Sequence, residues 1–386
     1  MSDESNSGVA PPTRVPKSRK VAIAVALVVI LVAAGLYEAY ALSPVPSPCA
    51  GIVTPTGPSA PNSTSLRASA GGALPSTDHR GSVPTLFAPT QSGPPLPRPS
   101  TVSHPANSTI VINVVAAENF WGSLVSQIGG THVSVTSIIT DPNTDPHEYQ
   151  ANDSDEIAIK NAQYVILNNV GYDAWATELV GADGDTNQTV LNIGDSLGVS
   201  VSGGIVTGNP HLWYNPNYVN ETVAWMYHNL TSIAPSLTGY FTGQYDNLTA
   251  SLGHLYGEIG LIKEQFAGTV VASTESIFVY LANATGLNLV SPPAFMEAVA
   301  EGNDPPDSSV VTFQCQLESG HVRVLVFNAQ TVTPITTSMK SIAQSNNVTE
   351  LSVTETIVPP TATFQEWMGG ELNALYVALD APVLGR

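Results

Sequence analysis

Short β-branched runs alternate with helical stretches in two separate series along this chain, and about fifty residues of helical pattern divide them. In the first series, 110–115, 133–139 and 164–167 read as strands, with helices from Phe120 (Phe120, Leu124, Val125, Ile128 at helical spacing) and over 153–161. In the second, 270–272, 288–290, 322–327 and 351–353 read as strands. Helices cover 277–285, a stretch after Pro306, 334–346 and 364–379. Between the series, Tyr218, Val219, Val223, Met226, Tyr227 and Leu230 mark one helical face, and Leu248, Leu252, Leu255, Ile259 and Ile262 another. Strands that alternate with helices form parallel βαβ units. The expected fold is therefore α/β: two lobes with parallel sheets, 107–215 and 268–386, joined by a helical spine over 216–267.

The first 106 residues differ in kind. Lys17, Arg19 and Lys20 precede a 17-residue uncharged apolar run, 21–37, which Glu38 ends. Its length is near the lower limit for a membrane span, and the basic flank places Met1 on the cytoplasmic side. Ala39-Tyr40-Ala41 also has the small-x-small form of a signal cleavage site, so 1–42 reads as an anchor or a cleaved signal. Pro46-Ser47-Pro48 before Cys49 is unlike the small and apolar residues that precede a lipid-modified cysteine. Residues 43–106 are rich in Pro, Ser, Thr and Gly without apolar periodicity, and read as a disordered stalk. Either reading of 1–42 puts the lobes outside the cytoplasm. Nine Asn-x-Ser/Thr triplets, at Asn62, Asn107, Asn152, Asn187, Asn220, Asn229, Asn247, Asn283 and Asn347, suit an exported glycoprotein, although a chain rich in these residues also makes them by chance.

Charge narrows the function. From Asn107 onward there are five basic and 27 acidic residues, a net −22. A nucleic-acid binder needs a cationic face, so none is expected as partner. Two cysteines exclude a disulfide-stapled mini-domain or a Cys-rich zinc module, and Cys315 is expected to pack in a helix.

In open α/β sheets ligands bind beyond the carboxyl ends of the strands. His147 follows the strand at 133–139, and His211 closes the first series. Glu275 and Glu355 directly follow the strands at 270–272 and 351–353. Each alone has a plainer reading: a loop histidine is usually solvated, and a glutamate after a strand often caps the next helix. Together, two imidazoles from one lobe and two carboxylates from the other form a divalent-metal set, and the carboxylates cancel a 2+ charge. Asp145 and Glu148 read either as acceptors that orient the imidazoles from behind or simply as polar loop residues. A metallohydrolase is a weaker reading, because His147-Glu148-Tyr149 lacks the second histidine of a His-Glu-x-x-His helix, and no phosphate loop or nucleophile elbow is present.

These residues carry a resemblance. Asp145-Pro146-His147-Glu148-Tyr149, Asn209-Pro210-His211-Leu212-Trp213-Tyr214-Asn215-Pro216, Ser273-Thr274-Glu275, Val353-Thr354-Glu355-Thr356 and Phe327-Asn328-Ala329-Gln330-Thr331 are similar to stretches of the zinc/manganese substrate-binding proteins of ABC transporters. The resemblance covers about 110–379. It implies a non-enzymatic monomer with one buried four-ligand site, His147, His211, Glu275 and Glu355, in the cleft between the lobes. Its cargo would be Zn2+ or Mn2+, passed to a membrane permease. The family also includes surface adhesins, which the stalk would suit. This chain departs from the pattern in having Glu355 where many members have Asp, Asn209 where Asp is more usual, and no histidine over 194–208. Zinc is favoured over manganese on intrinsic affinity.

Overall fold

The β-branched run that opens the first series forms β1 (Ile112–Glu118), which pairs with β2 (Val133–Ile139) on one side and β3 (Tyr164–Leu167) on the other. β4 (Thr189–Asn192) pairs with β3. All four strands are parallel, in the order β2-β1-β3-β4. Every residue of β3 is buried, as expected of a central parallel strand with both faces covered. The computed structural model describes Cys49 and residues 110–183, 187–199, 201–202, 205–206 and 208–382, and all the strands and helices lie in one unit of the chain, Ile52–Arg386. The apolar run at 21–37, the stalk and the triplets at Asn62 and Asn107 lie outside the described residues. No helix among the described residues is long and apolar enough to cross a membrane.

Helices connect the strands: α1 (Asn119–Gly129), α2 (Asp153–Lys160), α3 (Ala174–Asp183) and the single turn α4 (Ile193–Ser196). α1 lies close on β2 because residue 122 is glycine; a Cβ there would come 2.1 Å from Ser137 Oγ. A two-residue hairpin, β5 (Val201–Ser202) with β6 (Ile205–Val206), leads to the long helices. These are α5 (Pro216–Ile233) and α6 (Thr238–Phe266). Asn215 caps α5 by accepting from the Asn217 amide, with Pro216 at the first helical position. The 29 residues of α6 make a rod about 44 Å long.

The second series repeats the plan. β7 (Val270–Ser273), α7 (Val279–Thr285), β8 (Asn288–Leu289), α8 (Pro293–Ala300), α9 (Asp307–Glu318), β9 (Val324–Asn328), α10 (Pro334–Ser345), β10 (Thr349–Val353) and α11 (Phe364–Asp380) follow one another. The sheet is again parallel, in the order β10-β9-β7-β8. Both sheets change direction beside their first strand, which opens a crevice between β1 and β3 and another between β7 and β9.

Six elements are absent from the sequence expectation: α3, β4, the turn α4, the hairpin strands β5 and β6, and α8. α3 has its apolar residues spread around the helix, β4 is only four residues, and α8 is a short helix started by Pro293. Each is too short or too evenly apolar to show a period.

α6 packs on α1 from the first lobe and on α7 and α11 from the second. One continuous apolar core runs from Ile112 to Leu379 through both lobes and both long helices. At its centre Phe120 of α1 stacks on Trp213 at 4.1 Å and lies 6.4 Å from Trp367 of α11. Polar contacts run beside it: Ser123 Oγ accepts from the Phe364 amide (3.0 Å), Asn119 Oδ1 accepts from the Ile357 amide (3.1 Å), and Gln127 and Gln365 exchange side-chain hydrogen bonds. Phe120 is fully buried where the lobes meet. Truncation to alanine should therefore cost about 3–5 kcal/mol and destabilise both lobes together in denaturant unfolding. Loss confined to a fraction of the unfolding amplitude would show that the lobes do not share this core.

Candidate metal centre

Five strands, β2, β3, β7, β9 and β10, lead to polar groups at one place. β2 leads to Asp145, whose side chain accepts from the His147 amide (3.0 Å) and starts the turn Pro146–Glu148. β7 ends one residue before Thr274-Glu275, β9 ends on Asn328, and β10 ends two residues before Glu355. β3 is followed by Asn168 and, a few residues on, Tyr172. His211 sits just before the turn Leu212–Tyr214. Six of these side chains, Tyr172 and Asn328 among them, converge between the carboxyl ends of the two sheets.

One donor atom each from His147, His211 and Glu355 lies within 4.8 Å of the others. His147 Nε2 stands 3.4 Å from Glu355 Oε2, and the two imidazole centroids are 5.6 Å apart. Glu275 is outside that triplet but beside it, tied to Glu355 through Asn328, whose Nδ2 donates to Glu275 Oε1 (2.7 Å) and to Glu355 Oε1. His211, Glu275 and Glu355 are fully buried, whereas the His147 side chain is 16% exposed. His147 Nε2, His211 Nε2 and Glu275 Oε2 are buried with no hydrogen-bond partner. Buried polar atoms are rarely left so, and the two bare imidazole nitrogens, which lie with a Glu355 oxygen within 4.8 Å of one another, fit a cation that takes their lone pairs.

The tautomer of His211 follows from its neighbours. Asn209 Nδ2 donates to the Ser276 carbonyl (2.6 Å), which turns Asn209 Oδ1 toward His211. That oxygen accepts from the His211 amide (3.0 Å) and from ring Nδ1–H (2.7 Å). Nε2 is therefore the bare nitrogen. Burial, and then the neighbouring His147, hold this imidazole well below its ordinary range, which keeps it neutral.

The carboxylates behave in the opposite sense. Burial, and then the Glu355 charge, push Glu275 well above the usual range. Burial also raises Glu355, against the lowering influence of His147. The Tyr172 phenol, kept protonated by burial and by Glu355, donates to Glu355 Oε2 at 2.6 Å. Its ring packs edge-on against His147 at 4.8 Å. Without a cation, protons are what offset these buried charges.

Two more buried acids lie behind the first lobe's contribution. Asp173 accepts from the Asn168 and Asn169 amides (2.7 Å each), yet burial pushes it up to about 6. Burial, and then Asp173, raise Glu118 at the end of β1. Across the lobes, Glu371 of α11 accepts from Tyr214 Oη (2.6 Å) and from the Thr354 amide (2.9 Å), and burial raises it to about 7.

Of the residues expected behind the imidazoles, Asp145 supports His147 and also accepts from Thr331 Oγ1 of the other lobe (3.3 Å), whereas Glu148 is exposed. Tyr172, Asn209 and Asn328 serve the site without having been expected there. The strand-end argument, carried to β3 and β9, would have pointed to the first and last of them. Gln330 also braces the site. Its Oε1 accepts from the Glu355 and Thr356 amides, and its Nε2 donates to the Thr144 carbonyl (2.8 Å). A cavity of about 770 Å³ reaches the site at His147 and is lined further out by Glu297 and Glu301.

Glu371 binds a proton more tightly folded than unfolded. Its contribution is complete at acid pH and lost as pH rises through about 7. The metal-free protein should therefore be more stable at pH 6.5 than at pH 8, by about 1 kcal/mol from this residue alone, and Glu371→Gln should flatten that slope. His211 acts the other way only below its ordinary pKa near 6.5, outside this window. Melting curves that stay flat or fall toward pH 6.5 would contradict the assignment.

Residues 114–378 match the family described as zinc-uptake complex component A, periplasmic (ZnuA). Among solved structures, the chain resembles the periplasmic zinc-binding protein TroA from Treponema pallidum (TM-score 0.60, 14% identity, 70% of this chain and 99% of that one). It also resembles a mutant of the laminin-binding adhesin Lmb from Streptococcus agalactiae (TM-score 0.59, 18% identity, 70% and 100%). A third likeness is to a Mn-bound mutant of a periplasmic metal-binding protein from Candidatus Liberibacter asiaticus (TM-score 0.58, 17% identity, 69% and 99%). At these identities the structures establish a shared fold, and the sequence match over most of both lobes and the long helices goes further: the chain belongs to the ZnuA family of periplasmic zinc-uptake components.

Proposed function

We propose that this protein captures a divalent transition metal outside the cytoplasmic membrane and delivers it to an ABC-type permease, with His147, His211, Glu275 and Glu355 as the ligands. The observation that carries the reading is the convergence of His147 and His211 from one lobe with Glu355 from the other, donor atoms within 4.8 Å of one another, with both imidazole Nε2 atoms buried and without a hydrogen-bond partner. The metal is cargo in this reading, not a cofactor. Two neutral imidazoles and two carboxylates give a site that a 2+ ion leaves electrically neutral, which supports its burial.

Zinc is the proposed cargo. Four nitrogen and oxygen donors suit it, and its intrinsic affinity exceeds that of manganese at such a site. The family's description supports the choice, while the likeness to a Mn-bound protein keeps manganese as the comparison.

Capture exchanges protons for metal. The ion reaches His147 through the open cavity, the raised carboxyl groups lose their protons, and the lobes keep the contacts already seen across the core. Release to the permease requires those contacts to part. The Tyr172–Glu355, Tyr214–Glu371 and Gln330–Thr144 hydrogen bonds are among those that separation must break. The adhesin reading is supported by the likeness to Lmb, which at 18% identity concerns the fold.

Calorimetric titration of the metal-stripped full chain should show one tight zinc site. His211→Ala should weaken it at least about 100-fold, and Glu355→Gln should do likewise, since each removes a ligand that no neighbour replaces. Affinity should fall by about tenfold or more from pH 7.5 to 5.5, with protons released on binding, because both raised carboxyl groups must ionise. Binding untouched by either substitution would place the metal elsewhere. Retained zinc uptake in a strain that lacks the protein would separate adhesion from transport.

A further inference from the structure

We propose that Asn328 sets the coordination number of this site and thereby its preference for zinc over manganese. The inference rests on the metal-binding reading above. Two imidazoles and two glutamates do not fix a coordination number by composition. With both oxygens of each glutamate free they offer six donors, which suits manganese; with one oxygen each they offer four, which suits zinc. The choice lies in what holds the second oxygens.

Here one amide holds both. Asn328 is buried at the end of β9, between the strands that deliver Glu275 and Glu355. Its Nδ2 donates to Oε1 of each glutamate and lies 2.9 Å from Thr331 Oγ1. Its Oδ1 accepts from the Gln330 amide at 2.9 Å. The amide cannot turn over, because that would set its oxygen against two carboxylates and its NH2 against a backbone N–H. The Oε1 atoms are thereby drawn toward Asn328. Glu275 Oε2 is left without a partner, and Glu355 Oε2 faces His147 Nε2. Tyr172 donates to that same Oε2, which has a second lone pair for a metal. Four atoms then remain to bind: two Nε2 and two Oε2. The same amide links two carboxylates that would otherwise repel each other, so one residue both assembles the pair and limits how it chelates.

Cobalt(II) tests this on the full chain, because four-coordinate Co2+ has strong visible bands and six-coordinate Co2+ has weak ones. The wild-type cobalt complex should show the strong bands. Asn328→Ala frees both Oε1 atoms, so the bands should weaken and the zinc-to-manganese affinity ratio should fall by about tenfold or more. A weak wild-type spectrum, or N328A with an unchanged spectrum and ratio, overturns the inference while tight zinc binding by the wild type leaves the site itself standing. A wild-type chain that binds neither metal overturns both. Should N328A fail to fold, the wild-type cobalt spectrum still decides.

Discussion

Two glutamates buried side by side, with one amide between them and an imidazole as the nearest basic group among the described residues, form the arrangement on which the rest of this structure turns. Charge in such a place costs several kcal/mol unless something neutralises it. In the metal-free protein burial raises both carboxyl groups and so favours their protonated forms. A 2+ ion would neutralise them with four contacts at once. The two sheets follow from this need. Parallel strands all point their carboxyl ends one way, so two such sheets set facing bring Glu275, Asn328 and Glu355 at strand ends to the place that His147 and His211 reach on loops.

The lobes are held face to face by more than the site. The Phe120–Trp367 contact, the amide exchange between Gln127 and Gln365, and the Tyr214–Glu371–Thr354 group lie along one seam, with α6 packed on helices of both lobes. A continuous core under a rod of about 44 Å resists wide hinge motion, since opening would expose apolar surface along its length. Access through the cavity at His147, the one partly exposed member of the four, needs no such opening. Loading and unloading thus make different demands: loading uses a path already present, and unloading must break contacts between lobes.

Much of this was legible in the residues. Alternating runs gave seven of the eight parallel strands to within a few positions, because short β-branched stretches recur between helical ones; the four-residue β4 was missed. The four charged or imidazole side chains were legible as candidates for a different reason: Glu275 and Glu355 come two residues after a strand, His147 lies in the loop after another, and His211 closes a lobe. Asn328 and Tyr172 were not, because a neutral amide or a phenol after a strand has many uses, and their role arises only when β9 lies between β7 and β10 and when one lobe reaches the other. Glu148 shows the converse. Its place beside His147 suggests a supporting role, but the turn at Pro146–Glu148 sends the neighbouring side chains in different directions and leaves Glu148 in solvent. Asn209 reads as a departure from the usual aspartate, yet its amide serves the same end with a definite sense, one side on Ser276 and the other on His211.

The most direct test is diffraction from crystals of the zinc-loaded protein at wavelengths on either side of the zinc absorption edge. A single anomalous peak bonded to His147 Nε2, His211 Nε2, Glu275 and Glu355 is the result expected. A peak out in the cavity near Glu297 and Glu301, or one at the cleft that leaves Glu275 on Asn328 alone, would contradict the four-ligand account.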